Sequence, residues 1–261
     1  MVAFGTLTKY YKDSIELVTA IAGSAQSLGV MIMPPVAQIF LDTYGWRGGI
    51  LLLGGLEYHI IVVGMIIRYN EYLHRDMYSP IVEETWLDNG SFCKQCCSYL
   101  SGIFNFSLLS NVRFINVLLQ ASASGWAYTS WMIYLVPHAE EKGIAVANAV
   151  FLATLGGTGN FIGKLCCPVV TKFIPRKIMI VVSLMLAGLS ISLDPLFGSM
   201  IGMGISSTMF ALLTGLAFIA SMSSISEVVP EKQAYDAYAW FYLLYGVNSM
   251  AGGFVTGKFQ L

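Results

Sequence analysis

Charged residues are scarce in this sequence. They make up 11% of its 261 residues, and 14 Lys and Arg are balanced by 15 Asp and Glu. A protein that binds nucleic acid needs a basic face to neutralise phosphates, so a net charge of -1 argues against nucleic acid as a partner. Hydrophobic residues reach 56%, and the mean hydropathy of +0.68 exceeds that of ordinary soluble domains. The composition therefore predicts an integral membrane protein.

Sequence signals for catalysis, metal binding and cleavage are also missing. No Ser/His/Asp pairing, phosphate-cradling glycine loop or paired-carboxylate motif has a spacing that supports catalysis, so we expect neither an enzyme nor a cofactor. Cys93, Cys96 and Cys97 form one C-x-x-C-C pattern, but a tetrahedral zinc site needs four ligands, so we predict no metal site. Lipidated or free thiols fit this pattern equally well. Residues 1–14 lack the apolar region and cleavage site of a signal peptide.

Long apolar windows are the main positive feature of the chain. A bilayer core of about 30 Å needs about 20 helical residues, each rising about 1.5 Å. Seven windows meet that length, at residues 15–41, 47–68, 112–137, 144–170, 178–197, 200–226 and 236–258. Gly and Ser recur inside them and allow helix backbones to approach closely in lipid. We predict an all-α, polytopic transmembrane bundle with about seven spans.

The placement of Lys and Arg predicts the orientation of the bundle. If the segment before the first window is cytosolic, ten of these residues lie on the cytosolic side and three lie opposite. This bias agrees with the positive-inside rule. We therefore expect residues 69–110 to form a cytosolic linker and the loop at residues 138–143 to face outside.

Lys164 is a cation within the apolar window at residues 144–170. A charge in lipid is costly, so it usually faces a polar interior and marks a substrate or ion path. Alternatively, its long side chain snorkels to the nearer headgroups beside Lys172. The sequence gives the two interpretations equal weight.

Several motifs carry a resemblance to a known family. Residues 40–49 read FLDTYGWRGG and lead into LLLGGL at 51–56, residues 111–114 read NVRF, and residues 134–143 read YLVPHAEEKG. Together they resemble the monocarboxylate transporter family of the major facilitator superfamily. The run "D-x-[YF]-G-W-R-G" is the most specific of these signals. In that motif the resemblance implies structural roles for Asp42, Gly45, Trp46 and Arg47.

The resemblance also implies a domain organisation. The first two windows resemble the fifth and sixth spans of the family, and the last five windows resemble its seventh to eleventh spans. Residues 1–68 would then end the N-terminal half, residues 69–110 would be the cytosolic linker, and residues 111–261 would supply most of the C-terminal half. The family's first four spans and its last span have no counterpart, so we expect an incomplete carrier that does not transport by itself.

The function implied by the resemblance is secondary active transport of monocarboxylates or related small organic metabolites, by alternating access. The alternative is a non-transporting pseudo-carrier or a regulatory partner of a complete homologue. The implied partners are a small organic anion, the lipid bilayer and a single-span ancillary membrane protein as a candidate. We expect a multi-pass protein of the plasma membrane.

Asn160 and Lys164 are four residues apart, so they share one helix face. In proton-coupled members of the family, the residues at the two matching positions resemble an Asp and an Arg. The resemblance therefore implies that Asn160 and Lys164 bind the substrate. Lys164 keeps the positive charge but lacks the bidentate fork of Arg. Asn160 cannot titrate. These differences put proton coupling in question more than anion binding.

Three further polar residues are candidates for specific roles. Glu57 and His59 lie inside the second window, and Glu57 is a secondary candidate for coupling because an unpaired carboxylate in lipid tends to take up a proton. His59 has the same candidate role, although a single His in an apolar helix is more often a packing residue. Glu227 resembles an acidic position at the cytosolic end of the family's tenth span, where we expect it to orient a loop.

Overall fold

The computed structural model describes residues 14–62, 65, 105–196, 199–230 and 233–259. Within these ranges the chain forms long helices joined by short connections, which confirms the predicted all-α class. The helices are α1 (Ile15–Glu57), α2 (Val112–Glu141), α3 (Val146–Val170), α4 (Arg176–Leu193), α5 (Met200–Val228) and α6 (Ala234–Phe259), with 3-10 turns at Phe106–Ser110 and Asp194–Leu196.

The chain divides into two compact units. One contains residues 1–34 and 101–261, and the other contains residues 35–100. The boundary separates Pro34 from Pro35, two adjacent prolines that lack backbone donors and therefore interrupt the hydrogen-bond ladder of α1. Most of the predicted linker, residues 69–104, lies outside the described residues. The division into an N-terminal and a C-terminal half stays a prediction.

The first two predicted windows correspond to the two helical segments of α1, which meet at a kink. Helix α1 runs through both windows, and Gly45 is its non-helical residue, with φ 66° and ψ 178°. Glycine reaches this positive φ at little steric cost. One glycine therefore makes the break in α1, and the remaining motif residues stay helical.

The lengths and compositions of the helices agree with a multi-pass membrane protein. Within the described ranges, four helical stretches are long and apolar enough to cross a membrane, namely Ile15–Val62, Val146–Val170, Arg176–Leu193 and Met200–Val228. Helices α2 and α6 coincide with two further predicted windows and are 30 and 26 residues long.

Close packing between α3 and α5 forms the centre of the larger unit. A Cβ atom added at Gly159 would lie 2.5 Å from the carbonyl oxygen of Thr208, and one added at Gly163 would overlap the carbonyl oxygen of Leu212. The two glycines are four residues apart and form a small-residue face, which lets two backbones approach in lipid. Helix α4 packs on the same α5, and α2 packs chiefly on α6.

The outer surface of the larger unit is strongly apolar. On α4, Met185 is 73% exposed and Leu189 is 55% exposed, and on α5 Ile201 is 77% exposed. Large apolar side chains in such positions suit contact with lipid rather than water.

Candidate functional site

Lys164 lies on α3 and is only 3% exposed. Its Nζ donates one hydrogen bond to the carbonyl oxygen of Gly23 at 3.1 Å and another to Gln26 Oε1 at 3.0 Å. Both acceptors lie on the first part of α1, within the larger unit. The ammonium group therefore points into the bundle. The snorkelling interpretation required it to extend toward the helix end near Lys172, and it does not.

The partners of the Lys164 ammonium are electrically neutral. In addition to the carbonyl and amide oxygens, Nζ lies 5.0 Å from the centre of the Phe218 ring, which is within the range of a cation–π contact. No Asp or Glu is among the residues that line the space beside it. The positive charge is solvated by dipoles and an aromatic face, but no carboxylate of this lining compensates it.

Asn160 lies one turn before Lys164 and joins three helices. Its Nδ2 donates to the carbonyl oxygen of Ala211 on α5 at 2.9 Å, and its Oδ1 accepts a hydrogen bond from Ser27 Oγ on α1 at 2.7 Å. The residue is 4% exposed. An amide can donate and accept at the same time, whereas an ionised carboxylate only accepts. Asn160 therefore fits the bond to Ala211 better than an ionised Asp would.

A cavity of about 10 Å³ lies beside the two residues. It is bounded by residues from five of the helices: Gln26, Ser124, Tyr128, Asn160, Lys164, Thr214, Phe218 and Tyr245. The rings of Phe218 and Tyr245 pack edge to face, with centroids 5.5 Å apart. Such a volume holds about one water molecule. The lining combines one cation, several hydrogen-bonding groups and three aromatic rings.

The hydroxyl group of Tyr128 is buried and has no hydrogen-bond partner among the described residues. Most buried tyrosine hydroxyls find such a partner. Tyr128 also lines the cavity.

Sequence reasoning missed most of this lining. Gln26 is a polar residue inside the apolar window at residues 15–41. This polar position within an apolar window was the sequence feature that could have indicated a site residue on α1. Tyr128, Phe218 and Tyr245 gave no signal, since aromatic residues are common throughout apolar spans.

The other predicted polar residues do not line this cavity. Glu57 is the last residue of α1, and both Glu57 and His59 are exposed members of the smaller unit. His59 Nδ1 lies 3.1 Å from the carbonyl oxygen of Leu56. Their proposed part in coupling stays a prediction.

The motif residues of the smaller unit make local contacts. Asp42 Oδ1 accepts a hydrogen bond from Gln38 Nε2 at 2.9 Å, one helical turn away. The Arg47 guanidinium lies 5.1 Å from the centre of the Trp46 ring. These contacts lie on the two sides of Gly45, and the structural role of the motif stays a prediction.

A second group of polar residues, three of them charged, lies at the ends of four helices in the larger unit. Arg176, the first residue of α4, pairs with Glu16 at 3.3 Å and also with Glu227 at the end of α5. Thr171, after the end of α3, donates to Glu16 Oε2 at 3.0 Å. We call these four residues the ion-paired cluster. Glu227 therefore contributes to helix packing, beyond the loop orientation that its position suggested.

The described residues contain no group of three potential metal ligands. Cys166 is exposed and Cys167 is buried, and both are free thiols. The C-x-x-C-C pattern at Cys93, Cys96 and Cys97 lies outside the described part of the chain.

Comparison with known proteins decides the family. Residues 2–253 match the model of the Major Facilitator Superfamily. The chain belongs to this superfamily. It is 25% identical over 170 residues to Monocarboxylate transporter 12 of Xenopus laevis, which covers 62% of this chain and 36% of the relative. It is also 25% identical over 260 residues to Monocarboxylate transporter 12-B of Danio rerio, covering 91% of this chain and 53% of the relative.

A third relative is Monocarboxylate transporter 11 of Homo sapiens, with 26% identity over 165 residues, 63% of this chain and 31% of the relative. These names confirm the resemblance to monocarboxylate transporters. The chain spans about a third to a half of the length of these curated relatives. Superfamily membership and the apolar helices together make it a multi-pass membrane protein.

Proposed function

We propose that this member of the superfamily carries monocarboxylates or related small organic anions across a membrane by alternating access, and that Lys164 binds the anion. The observation that carries the proposal is a buried ammonium whose two hydrogen-bond partners in the described part of the chain are both neutral. A buried cation and a carboxylate are each costly in lipid by themselves, and pairing them reduces the cost of both. The names of the relatives support the same class of substrate.

Asn160 is proposed to position this site and to contact the substrate. It holds α3 against both α1 and α5 through its two hydrogen bonds. An amide cannot exchange a proton at physiological pH, so Asn160 itself adds no pH dependence to anion binding at this pair. If transport is coupled to protons, the coupling falls to Glu57, with His59 as the second candidate.

The membrane arrangement is part of the proposal. Residues 1–68 end the N-terminal half, residues 69–110 form a cytosolic linker, and residues 111–261 supply most of the C-terminal half of the carrier. The plasma membrane is the proposed location, with a single-span ancillary protein as a candidate partner. The bias of Lys and Arg toward one side supports this orientation.

The test is uptake of labelled lactate and pyruvate by cells that express the protein from its own gene. Lys164→Gln removes the charge but keeps a hydrogen-bonding side chain, and we expect it to lower uptake by roughly a hundredfold, because an ion pair in lipid is replaced by a neutral contact. Lys164→Arg keeps the charge and should retain measurable uptake. The matched control is Lys172→Gln, which removes an exposed cation just beyond the same helix.

Surface labelling measures the amount of each variant in the membrane. Normal uptake by Lys164→Gln at a normal surface level would contradict the role of Lys164.

A further inference from the structure

Gln26 is the exposed hydrogen-bond acceptor of the Lys164 ammonium. Lys164 is 3% exposed, so its charge is not directly accessible. Gln26, which accepts one of its hydrogen bonds at 3.0 Å, is the one exposed residue among the eight that line the cavity. The other seven are buried or half-buried. Of the whole lining, the Gln26 side chain has the most freedom to move.

The size of the cavity requires that some lining group moves before an anion binds. Its volume of about 10 Å³ holds about one water molecule, which is much less than a monocarboxylate. The second acceptor of Lys164 is the backbone carbonyl of Gly23, inside α1, and it cannot move without unwinding the helix. A rotamer change of an exposed glutamine needs no such unwinding.

We propose that the Gln26 amide oxygen occupies on Lys164 the place that the substrate carboxylate takes, so that the anion binds by displacing Gln26. This proposal rests on the function proposed above and adds a specificity-determining residue to it. Gln26 satisfies the ammonium when no substrate is bound, which lowers the cost of an unpaired buried cation.

The exchange favours anions over neutral ligands. A hydrogen bond between an ammonium and a carboxylate is shorter and about twice as strong as one to a neutral acceptor. A carboxylate that replaces the Gln26 amide therefore forms a stronger hydrogen bond to Lys164. A neutral carbonyl ligand would replace one hydrogen bond to a neutral oxygen by another of similar strength. Uncharged molecules of similar size therefore gain too little free energy at Lys164 to displace Gln26.

The test is equilibrium binding of labelled lactate in membranes that contain the protein. Gln26→Leu keeps the approximate size of the side chain but removes the competing acceptor, and we expect lactate to bind about tenfold more tightly, the value of one hydrogen bond to a charged group. Gln26→Glu places a fixed carboxylate on the ammonium, and we expect binding to weaken by at least about tenfold. General damage to the site would weaken binding in both variants, whereas competition predicts opposite signs.

Gln120→Leu is the matched control, because Gln120 makes a comparable hydrogen bond inside the bundle, to Ser221 Oγ at 3.0 Å, and does not line the cavity. Its lactate affinity should equal that of the unmodified protein. If Gln26→Leu does not reach the membrane, Gln26→Ala removes the same acceptor at an exposed helical position and carries the same expectation.

Unchanged or weaker binding by a Gln26→Leu or Gln26→Ala protein that reaches the membrane would overturn the competition, even where Lys164→Gln abolishes binding. Normal lactate binding by Lys164→Gln would instead overturn the proposed function itself. The two failures are therefore distinguishable.

Discussion

Lys164 and Arg176 are two cations of the same compact unit with opposite surroundings. Lys164 lies in the interior of α3, 3% exposed, with a carbonyl oxygen, an amide oxygen and an aromatic ring around it. Arg176 begins α4 and pairs with the carboxylates of Glu16 and Glu227. Helix α1 takes part in both arrangements, through Gln26 in the first and Glu16 in the second.

The contrast separates a charge that stabilises the fold from a charge that is available to a ligand. The charge of Arg176 is neutralised within the protein, and its two ion pairs hold the ends of neighbouring helices together. Lys164 has no carboxylate partner among the described residues, and a protein keeps a charged group in a membrane chiefly where it serves binding or transport. The identity of the partner, rather than the depth of burial alone, distinguishes the two roles.

The largest effect should follow from separating α3 from α5, since Lys164 depends on their contact. In Gly163→Ala the new methyl group would overlap the Leu212 carbonyl oxygen, so we expect a loss of about 3 kcal/mol of stability and little protein at the membrane. Gly188→Ala is the control, because a Cβ atom there has no neighbour within 4 Å. Surface labelling and thermal unfolding in detergent compare the two. Equal stability of the two variants would contradict the close approach.

Arg176→Gln should reduce stability without removing the anion site. The change leaves the half-buried Glu16 carboxylate without its cation, and we expect a loss of about 1 to 2 kcal/mol. The measurement is the melting temperature in detergent together with the dissociation constant for lactate. Lys177→Gln, at the exposed next position, is the control. A tenfold loss of lactate affinity at unchanged melting temperature would reverse the roles assigned to the two cations.

Asn160→Asp should make the Lys164 site resemble the Arg176 site by adding a carboxylate beside its cation. At high pH the new carboxylate is ionised and neutralises Lys164, so anion binding weakens; at low pH it is protonated, and binding recovers. We expect lactate affinity to rise several-fold as pH falls from about 8 to about 5. The unmodified protein should show a smaller rise, because Asn160 adds no titratable group. A steep acid dependence of the unmodified protein that survives Glu57→Gln would contradict this account.

The smallest effect is expected for Glu227→Gln. The Glu227 side chain is 59% exposed, so water screens its pairing with Arg176, and the loss should be about 0.5 kcal/mol or less. Glu16→Gln should cost more, because the Glu16 side chain is only 20% exposed. Thermal unfolding of both variants gives the order. A larger loss for Glu227→Gln would show that the exposed pair stabilises the cluster more than the half-buried one.

The positions of the helices could largely be predicted from the sequence. The window at residues 144–170 became helix Val146–Val170, and the window at residues 200–226 became helix Met200–Val228. This agreement has a simple physical cause, since a backbone in lipid must satisfy its own hydrogen bonds, and a long apolar run can do so as a helix. The joint at Gly45 falls in the gap between the first two predicted windows, which end at residue 41 and begin at residue 47.

The partners of the charged residues could not be predicted in the same way. Gln26 and Lys164 are 138 positions apart in the sequence, and Glu16 and Arg176 are 160 positions apart. No local pattern records which helices lie side by side. The sequence therefore gave equal weight to two positions of the Lys164 side chain, one in the bundle interior and one at the headgroups.

By itself, the sequence determined the membrane class, the positions of most helices and the presence of one cation within an apolar span, because each of these depends on local composition and on the solvent that composition requires. The tertiary structure alone decided what faces that cation. Close packing of α1 and α5 against α3 brought an amide, a carbonyl oxygen and a phenyl ring to Lys164 and left carboxylates to Arg176. The difference between a ligand site and a structural ion pair arises from that packing, since the energy of a buried charge depends on the groups within a few ångströms of it.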